Sequence, residues 1–303
     1  MGFNNFDQLI TYAKAKPGRL RIAVVGANEE SLLKAIMRVT KDGIAAPILI
    51  GDSDYIKRFF DAQAFDSQDI GVIDESDMEA AAEMAVQLVR SGDCQCIMKG
   101  EIMTAKLMKS VLRHDNGIRN GRLISAFSIR ELPHYHKLLG FADTGICITP
   151  SVDEKCQIIE NSVDILHELG VELPKVAAVC GVEYVNPKMR ETLDAAELKR
   201  MNEEGMITDC IVEGPISYDL AISKRSAEIK GYSSPVAGDA DLILFPDLAS
   251  GNLTTKALEY HADVKGAALV TGAKVPIIFG SRAATEDFRY RSVALAAVCC
   301  KDI

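Results

Sequence analysis

No run of apolar residues in this 303-residue chain approaches the ~18–20 needed to cross a bilayer. Its first stretch, MGFNNFDQLITYAKAKPGRLR, lacks the basic-then-apolar order of a secretory signal, and Phe6 breaks a myristoylation pattern. A cytoplasmic protein with no membrane partner is therefore expected. Positive charge is in deficit: the formal net charge is −9, which argues against general binding to nucleic acid or acidic lipid. An anionic ligand would need a local cluster of Arg, Lys and backbone N–H groups to hold it against that field.

The nucleotide fingerprints are missing as well. There is no G-x-x-x-x-G-K-[ST] and no G-x-G-x-x-G, and VVGANEES (24–31) has one glycine at its strand–helix turn. A P-loop enzyme and an ordinary Rossmann dehydrogenase both lose ground, and the lack of G-x-S-x-G argues against a common esterase. Eight cysteines are present without a disulfide framework. Cys147, Cys156, Cys180 and Cys210 stand singly in apolar stretches, and Cys94 and Cys96 have no second pair at zinc spacing. Buried, reduced thiols are the expectation.

What is there is a repeated βα rhythm. Hydrophobic residues make up 48% and charged residues 25%, the balance of a globular protein with room for two domains. RLRIAVVGA (19–27) reads as a strand, and the following stretch as a helix with Asn28 as N-cap and Gly43 as stop. Strands at 45–51, 69–73 and 94–100 are each followed by a helical pattern. Apolar strands alternating with helices imply a largely parallel sheet covered on both faces. Residues 121–149 break the rhythm with two strand-like runs that suggest an antiparallel pair. From Ser151 the alternation resumes: helices at 152–169, 188–204, near 217–230, 251–261 and 284–300, with strands at 174–180, 208–213, 241–246, 264–270 and 275–279. The fold class expected is two-domain α/β. Residues 1–142 plus 286–303 would form one domain and 143–285 an inserted second. Ligands of open α/β sheets bind at the carboxyl ends of strands, often between domains, so a cleft between the domains is expected where strand-end motifs from both halves converge.

Several strand ends carry polar side chains. CIMKGEIMTAKLMKSVLR (96–113) puts Lys99 after a strand and Thr104 at a helix head, a candidate anion seat or a solvated lysine and a cap. In GDADLILFPDLASGN (238–252), Ser250, Gly251 and Asn252 open a helix; Gly251 permits close approach to the backbone and Asn252 can cap. Its aspartates lie at opposite ends of one strand, which favours turns over a metal site. His134 and His136 lack a third ligand, and most charges of 186–205 are expected to be solvated. GSRAATED (280–287) delivers a hydroxyl and a guanidinium together. Arg282 suits bidentate binding of phosphate or carboxylate, and Ser281 can donate to an oxyanion. Asp287 would lie about 1.6 turns beyond Ser281 if the segment is helical, within reach for a general base. The same residues would also suit a capping Ser and a surface ion pair.

Taken together, IMKGEIMTAKLMKSVLR, FADTGICITPS, PKVAAVCGVEYVNPKMRETLDAAEL, CIVEGPISYDLAIS, GDADLILFPDLASGN and SRAATED resemble the phosphate acetyl/butyryltransferase family, more closely its butyryl branch. The resemblance implies an isocitrate/isopropylmalate-dehydrogenase-like arrangement with the site in a cleft. It implies the reaction acyl-CoA + phosphate ⇌ acyl phosphate + CoA by direct attack, with coenzyme A and phosphate as substrates and no cofactor. Asp287 would take the proton of the CoA thiol, whose pKa is ~8.5. Arg282 would neutralise the phosphoryl group and Ser281 would steady the tetrahedral intermediate. Lys99, Thr104 and Ser125 are further phosphate-side candidates, and Gly251 and Asn252 backbone and capping contributors. In the acetyl branch the acid tends to lie seven residues after the Ser, where this chain has Phe288; the butyryl branch has it at six, matching Asp287, with Glu286 as runner-up. Cys299 and Cys300 are expected to be buried rather than catalytic. A homodimer or larger oligomer is implied. Acetyl-CoA as substrate, a metal- and NAD-dependent β-decarboxylating dehydrogenase, and a silent acyl-CoA-binding relative are the alternatives.

Overall fold

The computed structural model describes residues 2–281 and 283–300. They form two compact units: a split unit of residues 7–122 and 267–300, and an inserted unit of 123–266 that also takes in residues 2–6. The boundaries expected from sequence, after 142 and after 285, fall later along the chain.

The split unit begins with α1 (Phe6–Ala15), β1 (Leu20–Val25), α2 (Glu30–Lys41), β2 (Ala45–Gly51), α3 (Ser53–Ala62), β3 (Gly71–Asp74), α4 (Met78–Arg90), β4 (Cys96–Lys99) and α5 (Thr104–Val111). The inserted unit follows with β5 (Ser125–Glu131), β6 (Leu139–Ala142), α6 (Val152–Glu168), β7 (Lys175–Val179), α7 (Arg190–Glu203), β8 (Ile211–Ile216), α8 (Tyr218–Ile222), α9 (Lys224–Lys230), β9 (Leu242–Leu244) and α10 (Leu248–His261). The chain then returns with β10 (Lys265–Thr271), β11 (Ile277–Ile278) and α11 (Glu286–Cys299). None of the described helices is long and apolar enough to cross a membrane.

Strands of the split unit lie in the order β3-β2-β1-β4-β11-β10. All neighbours are parallel except β10 and β11, which form an antiparallel hairpin. Strands of the inserted unit run β5-β6-β9-β7-β8, parallel apart from β5 and β6. The antiparallel pair expected within 121–149 is thus present. β1 and β4 are buried along nearly their whole length, as strands covered on both faces must be.

Two local expectations need correction, and a third has an exception. Asn28 does not cap α2: Glu29 holds the N-cap position without a side-chain bond, and Asn28 Oδ1 instead accepts from the Asp52 N–H at 3.0 Å. α10 starts three residues earlier than expected, because Asp247 accepts from the Ser250 N–H at 2.8 Å and caps it. Most charges of 186–205 are at least partly exposed, as expected, with Asp194 of α7 as the exception. It is buried against Lys155 of α6 at 2.7 Å. Gly43 does stop α2, at φ +71°, a left-handed conformation that a side chain would strain.

Candidate active site

β11 is parallel to β4, with Ile277 opposite Ile97 and Ile278 opposite Met98. On its other side β4 is parallel to β1, with Val25 opposite Lys99. The carboxyl ends of these three strands therefore emerge together. They carry Asn28–Glu30, Lys99–Met103 and Gly280–Ser281 into one cleft of about 560 Å³, to which Arg289 of α11 contributes.

The floor is backbone packed on backbone. Gly26 turns at φ +71°, and the N–H groups of Gly100 and Glu101 donate to the carbonyls of Val25 and Gly26, both at 2.8 Å. A Cβ on Gly100 would lie 2.3 Å from the Gly26 oxygen, so only glycine fits. This brings Lys99, 6% exposed, to the mouth of β4, where its Nζ donates to the Gly100 carbonyl at 3.3 Å.

Ser281 is exposed, and its Oγ accepts from the Ala283 N–H at 3.1 Å. Arg282 lies outside the described residues. Residues 283–285 are not helical. Thr285 caps α11 through the Phe288 N–H at 3.2 Å, and the helix begins at Glu286, so the 1.6-turn relation expected between Ser281 and Asp287 does not hold. Asp287 is not among the cleft-lining residues. With Glu286 it turns to Arg38 of α2, at 2.6 and 2.8 Å. The Arg38 guanidinium stacks 4.3 Å above the Tyr290 ring. The hydrogen bond from Arg38 holds the Asp287 carboxyl below the usual range, against a smaller opposing effect of burial. An acid so held is a weaker base.

Thr104 is the first residue of α5, directly after Met103 of the cleft wall, and does not itself line the cleft. Ser125, Gly251 and Asn252 belong to the inserted unit. Ser125 is 1% exposed and its hydroxyl accepts from Asn161 Nδ2 at 2.9 Å. Gly251 lies inside α10, where a Cβ would sit 2.3 Å from the Asp143 oxygen, and Asn252 Nδ2 donates to the Thr144 carbonyl at 3.2 Å. Both serve the junction of α10 with the loop after β6. Asp143 braces that loop, accepting from the N–H groups of Ala126, Gly145 and Ile146 at 2.6–2.7 Å.

Sequence reasoning missed Arg289 and Glu29. Arg289 is 4% exposed, and its Nη2 donates to both Glu29 carboxylate oxygens at 2.8 and 2.6 Å. The two residues are 260 apart in sequence, and Arg289 stands in the unremarkable run DFRYR; no local pattern marks the pair. All eight cysteines are free. Burial pushes the Cys94 thiol up to about 11, those of Cys180 and Cys210 up to about 12, and that of Cys96 well above the ordinary thiol range. These are poor nucleophiles at neutral pH.

Comparison with known proteins places the chain. Residues 75–297 match the profile of the family described as phosphate acetyl/butaryl transferase. The chain is 37% identical to the phosphate butyryltransferase of Clostridium acetobutylicum, over 97% of each sequence. It is equally 37% identical to the phosphate acetyltransferase of Thermotoga maritima, over 96% of this chain and 98% of that one. The crystal structure of a branched-chain phosphotransacylase from Enterococcus faecalis V583 superposes with a TM-score of 0.84 at 26% identity, covering 93% of this chain and 99% of the other. By sequence along nearly its whole length, the chain belongs to the phosphate acetyl/butyryl transferase family.

Proposed function

We propose that this protein interconverts acyl-CoA plus phosphate with acyl phosphate plus CoA, acting on butyryl-CoA or another short or branched acyl-CoA. The observation that carries the reading is the parallel pairing of β4 with β11, which sets Lys99 and Ser281 at the rim of one cleft in a chain of this family. Coenzyme A and phosphate enter as substrates, and the proposal routes no step through a resident cofactor. It retains the isocitrate/isopropylmalate-dehydrogenase-like arrangement that the family implies, and a homodimer or larger assembly.

Towards acyl-CoA, the CoA thiol loses its proton and the thiolate attacks the carbonyl carbon of the acyl phosphate. The C–O bond then breaks and phosphate leaves. Ser281 donates a hydrogen bond to the tetrahedral oxyanion, while Lys99 and Arg282 offset charge growing on the departing phosphate. Asp287 is the proposed base. Its carboxylate is bound to Arg38, so it must exchange that partner before it can accept the thiol proton.

A second reading keeps the reaction with acetyl-CoA as substrate, favoured by the equal identity to the Thermotoga maritima acetyltransferase. Phosphate-dependent release of CoA from butyryl-, branched-chain and acetyl-CoA tests both. Turnover with the highest kcat/KM on butyryl- or branched-chain CoA, with a loss of ~10²-fold or more in a folded Arg282→Ala variant, is the expected result. A preference for acetyl-CoA selects the second reading. No phosphate-dependent release from any short acyl-CoA would sink both, leaving an acyl-CoA-binding relative if CoA still binds, or a dehydrogenase if NAD is reduced.

A further inference from the structure

Arg289 has donors to spare. A guanidinium presents five N–H groups in a rigid planar fork, and buried donors are nearly always paired. Here Nη2 serves Glu29 and Nε reaches the Ala284 carbonyl at 3.4 Å, but no hydrogen bond runs from Nη1 among the described residues. The side chain is 4% exposed and yet lines the cleft that holds Lys99 and Ser281. A nearly buried cation with an unserved donor edge at such a cleft is a seat for an oxygen acceptor.

Its support is equally specific. Glu29 is fixed by Ser31, whose hydroxyl donates to Glu29 Oε1 at 2.7 Å and lies 3.3 Å from the Ala284 carbonyl. Ala284 O is thus approached by Ser31 from α2 and by Arg289 from α11. This ties the segment bearing Ser281 to the start of α2.

We propose that Arg289 binds an oxygen of inorganic phosphate, or of the phosphoryl group of the acyl phosphate, through its Nη1 edge. Glu29 and Ser31 act as positioning residues that hold Arg289 and the Ser281 segment in register. The inference rests on the phosphotransacylase reading. Because Glu29 offsets the charge of Arg289, the contribution is directional more than Coulombic: the fork fixes where one oxygen lies. Two consequences follow from the charges. Arg289→Lys keeps the charge but loses the planar fork, so it does not restore function. Glu29→Gln keeps an oxygen for Nη2 but leaves Arg289 uncompensated, so it draws phosphate more strongly.

The test is the KM for phosphate at saturating acyl-CoA, together with calorimetric titration of inorganic phosphate into the full-length protein. Arg289→Lys and Arg289→Ala are expected to weaken phosphate binding about tenfold or more, the scale of a charge-assisted hydrogen bond, with the KM for acyl-CoA unchanged. Glu29→Gln is expected to tighten phosphate binding and steepen its salt dependence. Ser31→Ala is expected to lower kcat more than it changes the KM for phosphate. Phosphate binding by Arg289→Lys equal to wild type, or weaker binding by Glu29→Gln in a folded protein, would overturn the proposal. Wild-type turnover decides the phosphotransacylase reading separately. Should turnover be absent, the calorimetry of wild type against Arg289→Lys still decides whether Arg289 holds phosphate.

Discussion

Lys99 and Lys155 are both nearly buried lysines close to the carboxyl ends of parallel strands, one in each unit. Lys155 donates to Asp194 at 2.7 Å and faces a cavity of only about 10 Å³ closed by Val179, Leu244 and Phe245. Lys99 opens on a cleft of about 560 Å³, with its Nζ donating to the Gly100 carbonyl at 3.3 Å. A buried charge with its counter-ion built in is structure. One set at the edge of an open cleft can also meet a solute. The difference between them lies in the space each faces: Lys155 is closed in with Asp194 of α7, whereas Lys99 stands at an open cleft.

The comparison breaks hardest if the carboxylate is removed. Asp194→Ala leaves the Lys155 ammonium buried without its partner and is expected to destabilise by about 3–5 kcal/mol, read by denaturant unfolding. Lys99→Met is expected to show in activity more than in stability, with kcat/KM down ~10²-fold. Equal losses of stability in both would end the contrast. Gly251→Ala is next, driving a Cβ to 2.3 Å from the Asp143 oxygen and costing about 1–3 kcal/mol as α10 shifts. The same substitution tells whether the inserted unit, beyond folding, tunes activity: kcat/KM measured below the unfolding range should fall as well.

The smallest effect concerns Arg38. Its bond lowers the folded pKa of Asp287, so this carboxylate favours folding above its unfolded value of ~3.9, and that contribution is lost as pH falls through the folded value. Asp287 is 62% exposed, so the stabilisation is slight. Arg38→Ala is expected to raise the carboxyl pKa, visible by carboxyl NMR titration. The acid limb of kcat/KM moves to higher pH with it if Asp287 is the base. An unmoved limb beside a moved Asp287 titration would remove Asp287 from that role.

Much of this was legible in the sequence, for definable reasons. The βα alternation and the antiparallel β5–β6 pair follow from apolar periodicity, which is local. Lys99 and Ser281 were readable because each follows an apolar strand, and parallel strands put their ends on one side. Asn28 misled because a polar residue ahead of a helix looks the same whether it caps that helix or, as here, serves Asp52 on the next strand–helix turn. Gly251 was read as an approach for ligand and proves to be an approach for backbone. Asp194 looked like any charge on an amphipathic helix, because only the position of Lys155 on another helix makes it buried. The Glu29–Arg289 pair joins residues 260 apart, and no spacing rule reaches that far.

The order in which the chain is made gives the split unit a further property. β11, two residues long, lies between β4 and β10, and it and Ser281 follow the whole inserted stretch 123–266 in sequence. On the ribosome, where N-terminal segments fold first, residues 123–266 have all been synthesised before β11 exists. β4, by contrast, must wait for a neighbour made some 180 residues later. The cleft is therefore assembled only after residues 123–266 have been made, and a nascent chain carries the inserted unit before it carries this cleft.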